Sequence, residues 1–139
     1  MTHVDIVRRA YALLNQGDFD AVLQDIHPDI VWHTYIVPRP GGGVYRGHAG
    51  VRDLWSDARE IFGDFRNVPE KLFDAGDHVV SFVRVEGVGV KSGAAVGARI
   101  AHVVTFQEGK MIRIESFQDR DEALRAAGID PPTQGTKTP

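Results

Sequence analysis

The residues of this chain best suited to chemistry begin with His102, which interrupts the apolar face of a strand pattern. From Val96 to Phe106 the even positions are Val96, Ala98, Ile100, His102, Val104 and Phe106, and the odd ones include Arg99, Ala101, Val103 and Thr105. Period-two alternation predicts a strand whose even side faces a core. An imidazole on such a face needs a hydrogen-bond partner or a cavity, because a buried polar group left unpaired costs roughly 1–3 kcal/mol. Two readings follow: a core histidine satisfied by a neighbour, and a histidine lining a ligand pocket. With an ordinary pKa of about 6.5, the side chain suits acid or base work near neutrality.

Other candidates lie on neighbouring strand patterns. Trp32 and Thr34 share the inward parity of Ile30, and Ser116 follows Ile112 and Ile114 on one face, so all three are candidate pocket residues. His33 has the opposite parity, which favours a surface role and leaves it a weak candidate for the site. Arg84 and Glu86 lie two apart and so share a face with Val80 and Phe82. The other face holds Val79, Ser81, Val83 and Val85 and is the more apolar, which favours a solvated Arg84–Glu86 ion pair over a catalytic one. The histidines at positions 3, 27, 33, 48, 78 and 102 show no H-x-x-x-H spacing, so no metal site is expected.

These side chains need elements to position them. Val4, Val7, Tyr11 and Leu14 recur at helical spacing from His3 to Gln16, with Thr2 as N-cap and Gly17 as stop. Asp18 can cap a second short helix carrying Phe19, Val22, Leu23 and Ile26, which Pro28 would end. A strand through Ile30–Thr34 follows. Residues 36–46, with two prolines and three consecutive glycines, read as a rim or lid loop. A third helix from about Ala49 to Phe62 presents Val51, Leu54, Trp55, Ala58, Ile61 and Phe62. The rest is mostly strand: Phe65–Phe73, demoted to an edge by Pro69, then His78–Glu86, the His102 strand, and Met111–Phe117. A glycine-rich connection spans 87–97, and a short helix capped by Asp119 and stopped at Gly128 ends the pattern. Helices first and then a mostly antiparallel sheet is an α+β order, with the sheet curled over the helices.

Composition narrows the function classes. The 139 residues suit one domain over 1–130 with a flexible tail over 131–139. A net charge of −3 with interspersed signs offers no basic stripe for nucleic acid. The chain has no cysteine, which excludes disulfides and thiolate chemistry. No run approaches a transmembrane length and no apolar signal core opens the chain, so no membrane partner and a cytoplasmic location are expected.

The stretch RRAYALLNQGDFDAVLQDIHPDIVWHT resembles the opening of the nuclear transport factor 2-like superfamily, and within it SnoaL-like polyketide cyclase domains. YRGHAGVRDLW and HVVTFQEGKMIRIESFQDRDEAL continue the resemblance, which covers nearly all of residues 4–128. It implies a cone-shaped α+β domain, a curved mostly antiparallel sheet around three N-terminal helices with a deep apolar pocket. Such domains are usually dimeric and typically work without a cofactor. By the ketosteroid isomerase-like pattern the tyrosine position falls on Ala10, with Tyr11 next to it, the base position on Thr34 and the later carboxylate position on His102. Trp55 falls where that pocket is lined. By the limonene epoxide hydrolase pattern Arg84 and Glu86 match an arginine and one carboxylate, while Ser116 replaces the second carboxylate and Trp32 and Thr34 stand at the water-holding positions.

Three functions are therefore expected to compete. The first is a cofactor-free isomerase, cyclase or dehydratase moving a proton on a small, largely apolar carbonyl compound such as a polyketide. The second is epoxide hydrolysis, and the third a non-catalytic dimer binding an apolar ligand or a protein. A homodimer is expected from Val79, Ser81, Val83 and Val85 together with Ala101, Val103 and Thr105, taken as an apolar outer sheet face.

Overall fold

The computed structural model describes residues 1–35, 37, 43–88 and 97–131. Its first helix, α1 (His3–Gln16), starts on a capping box in which the Thr2 side chain accepts from the Asp5 amide and the Asp5 carboxylate accepts from the Thr2 amide. Such a cap satisfies amides the helix itself cannot. Gly17 ends the helix with φ 78°, the left-handed turn that glycine adopts without a Cβ penalty. The short helix α2 (Phe19–Leu23) starts on the Asp18 side chain, which accepts from the Ala21 amide.

Strand β1 (Ile26–His33) begins earlier than expected. Ile26 belongs to the strand rather than the helix, and Pro28 sits within β1 instead of terminating α2. The proline lies where the β1 pairing is irregular, between the Ile26 and Val31 partners, a place that tolerates a missing amide. Strand β2 (Val44–Arg46) pairs antiparallel with β1 and corrects part of the loop reading of 36–46. Of that segment, Val37 is described and buried, whereas positions 36 and 38–42 lie outside the described residues. Gly43 touches the end of β1 closely: its carbonyl accepts from the Thr34 amide, and a Cβ there would stand 2.0 Å from the Thr34 carbonyl oxygen.

Helix α3 (Gly47–Phe62) buries Val51, Leu54, Trp55 and Ala58, while Ile61 is exposed, contrary to its expected place on the apolar face. Strands β3 (Asp64–Ala75), β4 (His78–Val88), β5 (Gly97–Gln107) and β6 (Lys110–Phe117) complete a six-stranded sheet ordered β2-β1-β6-β5-β4-β3. All its pairings are antiparallel except β1 with β6. β3 lies at the sheet's edge, as Pro69 requires, with a register shift between Pro69 and Lys71. A bulge in β6 pairs Phe106 with Met111 and Thr105 with Arg113, so Met111 rather than Ile112 enters the core beside Ile114. The glycine connection at 89–96 and the tail at 132–139 lie outside the described residues.

The register decides which sheet face is inward. Val79 pairs with Val104, Ser81 with His102 and Val83 with Ile100, and directly opposed residues share a face. Val79, Val83 and Val85 therefore pack with Ile100 and Val104 against Val7 and Ala10 of α1 and Leu54 of α3. This corrects the interface argument, since the β4 residues assigned to the outer face line the inner one. On the outer face Val80, Ala101 and Val103 form a second cluster with Ala123 and Leu124 of helix α4 (Arg120–Ala126). Burial of a leucine such as Leu124 contributes roughly 1.5–3 kcal/mol. A helix of the same chain thus packs on Ala101 and Val103, two of the residues expected to meet a second subunit.

Candidate active site

His102 stands on a central strand with Ser81 beside it on β4 and Ser116 beside it on β6. Tyr11 reaches it from α1: the tyrosine hydroxyl lies 2.8 Å from His102 Nδ1 and 2.5 Å from Ser81 Oγ. All three side chains are buried. The helix stripe of Val7, Ala10 and Tyr11 brings this hydroxyl to the sheet, because residues four apart on a helix share a face. Ala10 packs in the core, so the tyrosine that meets the histidine is Tyr11.

Burial favours uncharged forms in this chain of groups. It pulls the His102 pKa down from 6.5 to about 4 and raises that of the Tyr11 hydroxyl above its ordinary value of 10.0. At neutral pH the imidazole is neutral and the phenol keeps its proton. Among the described residues Ser81 Oγ has no acceptor other than Tyr11. The arrangement that leaves no hydroxyl proton unused has Ser81 donating to Tyr11 and Tyr11 donating to Nδ1. That order assigns the ring proton to Nε2, which has no protein partner among the described residues.

The space beside this ring comprises two narrow lobes of about 70 Å³ each. Trp55, Phe65, Asn67 and His102 line both. The first lobe continues past Trp32 toward Phe19 and Arg59, and the second toward Thr34, Val37 and Ile100. The expected deep pocket is thus tighter than the roughly 300–1,000 Å³ common for ligand sites. A broader trough of about 250 Å³, lined by Phe19, Arg52, Trp55, Ser56 and Arg59, shares three residues with the first lobe.

Several predicted residues meet here and others do not. Trp32 sets its ring edge-on to His102 at 6.2 Å and 89°. Thr34 lines the second lobe. Ser116 shares the His102 row, but its hydroxyl accepts from the Tyr35 amide and donates to Thr34 Oγ1, so it holds the end of β1 rather than standing free as the expected pocket hydroxyl. His33 lies opposite Glu115 and lines neither lobe. Arg84 and Glu86 alternate with the inward Val83 and Val85 and so lie on the opposite sheet face from His102, within a partly exposed ion-pair network. Arg84 Nε donates to Glu86 at 2.9 Å and Nη1 to Glu70 at 3.2 Å. The Arg84 and Arg66 hydrogen bonds hold the Glu86 carboxyl below its usual range.

Sequence reasoning missed Ser81, Phe65, Asn67 and Arg59. Phe65 and Asn67 alternate on one edge strand, and an asparagine in a strand is itself a signal, since that residue type is depleted there. No carboxylate lines either lobe among the described residues.

A family model described as a SnoaL-like domain matches residues 7–114. The chain belongs to the SnoaL-like domain family. Among solved structures, this SnoaL-like domain is similar to TerC co-crystallised with polyporic acid, at 26% identity and a TM-score of 0.73, covering 90% of this chain and 97% of that one. A nuclear transport factor 2-like protein from Burkholderia pseudomallei matches at 23% identity and a TM-score of 0.76, again covering 90% of this chain and 97% of the other. A candidate polyketide cyclase from Sinorhizobium meliloti matches at 19% identity and a TM-score of 0.66, covering 81% and 94%. At such identities the last two speak for the fold alone. Among curated proteins no relative matches. No helix among the described residues is long and apolar enough to cross a membrane.

Proposed function

We propose that this SnoaL-like domain is a cyclase- or isomerase-type enzyme that needs no cofactor and acts on a small, largely apolar carbonyl compound. His102 is its principal catalytic residue. The observation that carries the reading is the buried Ser81–Tyr11–His102 chain, which ends at a cavity lined largely by aromatic and aliphatic side chains.

A neutral imidazole donating from Nε2 suits a carbonyl oxygen. As the α-proton leaves, negative charge gathers on that oxygen, and a donor fixed in advance stabilises it most where water is excluded. Tyr11 keeps the ring oriented and Nδ1 occupied, so the donor does not have to reorganise during the reaction. With no carboxylate on the cavity wall among the described residues, a water molecule accepts the α-proton. The protonated water then returns its proton, either to another carbon or, where the enolate carbon attacks a second carbonyl and closes a ring, to the alkoxide oxygen that this attack forms. Likeness to TerC and a SnoaL-like family model supports this class of chemistry. The position of Arg84 and Glu86 on the outer face leaves epoxide hydrolysis without an observation in its favour.

The test is deuterium uptake at the α-carbon of 2-tetralone in heavy water, followed by proton NMR. The enzyme reading expects uptake well above the buffer rate. Uptake at the buffer rate, alongside measurable 2-tetralone binding, would favour the non-catalytic ligand carrier.

A further inference from the structure

The trough outside the first lobe has a feature that acid–base chemistry at His102 does not use. Arg59 lines both the trough and the lobe, and among the described residues it has no carboxylate partner. Its neighbour in the trough, Arg52, is paired with Asp20. The Arg59 guanidinium lies 5.2 Å above the Phe19 ring, and Phe19 stacks on Trp55 at 4.9 Å and 24°. Guanidinium, phenyl ring and indole thus form a layered wall from the trough into the cavity.

Trp55 adds an independent observation. Its side chain lines the trough and both lobes, it is 6% exposed, and its Nε1 is a buried donor with no hydrogen-bond partner. A donor left this way is costly, and an acceptor brought by a ligand removes the penalty. Trp55 and Arg59 are four apart on α3 and so stand one turn apart on the same helix face. One is a neutral donor within the wall and the other a cation at its outer end.

The geometry points to an aromatic carboxylate as the ligand class, with the carboxylate taken by Arg59 and Trp55 Nε1 and the ring lying along Phe19 and Trp55. Arginine suits this role because its planar fork matches a carboxylate in two places. The inference takes the cavity as the ligand site, as proposed above, but it does not depend on what His102 does to the ligand. A ligand so held would have its charge at the mouth and its uncharged end toward His102.

Isothermal titration calorimetry of the whole chain tests this with 1-naphthoate and its neutral isostere 1-naphthamide. The naphthoate is expected to bind about tenfold more tightly or better, as a charge-assisted pair allows, and the preference should shrink with added salt. Arg59→Gln should bring the two affinities together by weakening naphthoate alone. Trp55→Phe, which keeps a ring but removes the donor, should weaken naphthoate severalfold, whereas Arg52→Gln should leave the preference in place. Arg84→Gln, on the opposite sheet face, should also keep it, and because binding is read without turnover the result is separate from the proton-transfer reading. Equal affinities, a preference that survives Arg59→Gln, or no naphthoate binding would each overturn it.

Discussion

Tyr11 and His102 lie 91 positions apart and meet at 2.8 Å, joining the first helix to a central strand through one buried hydrogen bond. This contact positions the imidazole and also bears on stability, because both partners are buried away from water.

Tyr11→Phe keeps the ring and removes the hydroxyl, leaving Ser81 Oγ and His102 Nδ1 without their partner. Each buried group so stranded costs roughly 1–3 kcal/mol. Urea unfolding should show a loss in that range or above it, with the slope of the transition unchanged. A variant as stable as the parent would show that the hydrogen bond does not act as described.

The suppressed ionisation of His102 has a consequence with a definite sign. Its pKa is about 4 folded against 6.5 for the free side chain, so between these values the unfolded chain binds the additional proton. Stability from this group is complete above pH 6.5 and declines as pH falls toward about 4, by on the order of 3 kcal/mol in all. Below the folded pKa both states are protonated and the contribution stops changing. Comparing unfolding free energies of the parent and His102→Gln across that window isolates the effect, and the variant should show the shallower pH slope. In the parent, nitrogen-15 NMR should show His102 neutral at pH 6 with the proton on Nε2. A proton on Nδ1 would reverse the hydrogen-bond order inferred for the chain.

Much of this arrangement is legible in the sequence. Thr2, Gly17, Asp18 and Asp119 mark helix ends through local rules that need no tertiary partner, and these caps are present. The alternation around His102 correctly turns it toward the helices. What fails needs information from two elements at once. Period two separates the two faces of β4 but does not say which is inner, and only pairing with β5 places Ser81 beside His102. Tyr11 is evident on the helix stripe, yet its partners depend on that register. Ile26 keeps helical spacing with Val22 and Leu23, so the start of β1 is hidden until Met111 pairs with it. Arg59 reads as ordinary helix surface, because nothing in the sequence shows that its carboxylate partner is missing.

Arg84 and Glu86 supply a control on the other sheet face. Arg84→Gln and Glu86→Gln loosen a solvent-screened network and should leave the melting temperature almost unchanged. They should also leave α-proton exchange at the parental rate. A large loss of exchange in either variant would return the acid–arginine pair to the reaction.

The most direct test of the central claim measures α-proton exchange in 2-tetralone and the melting temperature on the same preparation of His102→Gln. Glutamine keeps a hydrogen-bonding group near Tyr11 but does not reproduce a ring N–H held at Nε2. The account predicts a melting temperature close to the parent's and exchange slower by about 10²–10³, the usual cost of removing one donor from an oxyanion site. A folded variant exchanging at the parental rate would contradict it, and His102 would then be a residue of the core alone.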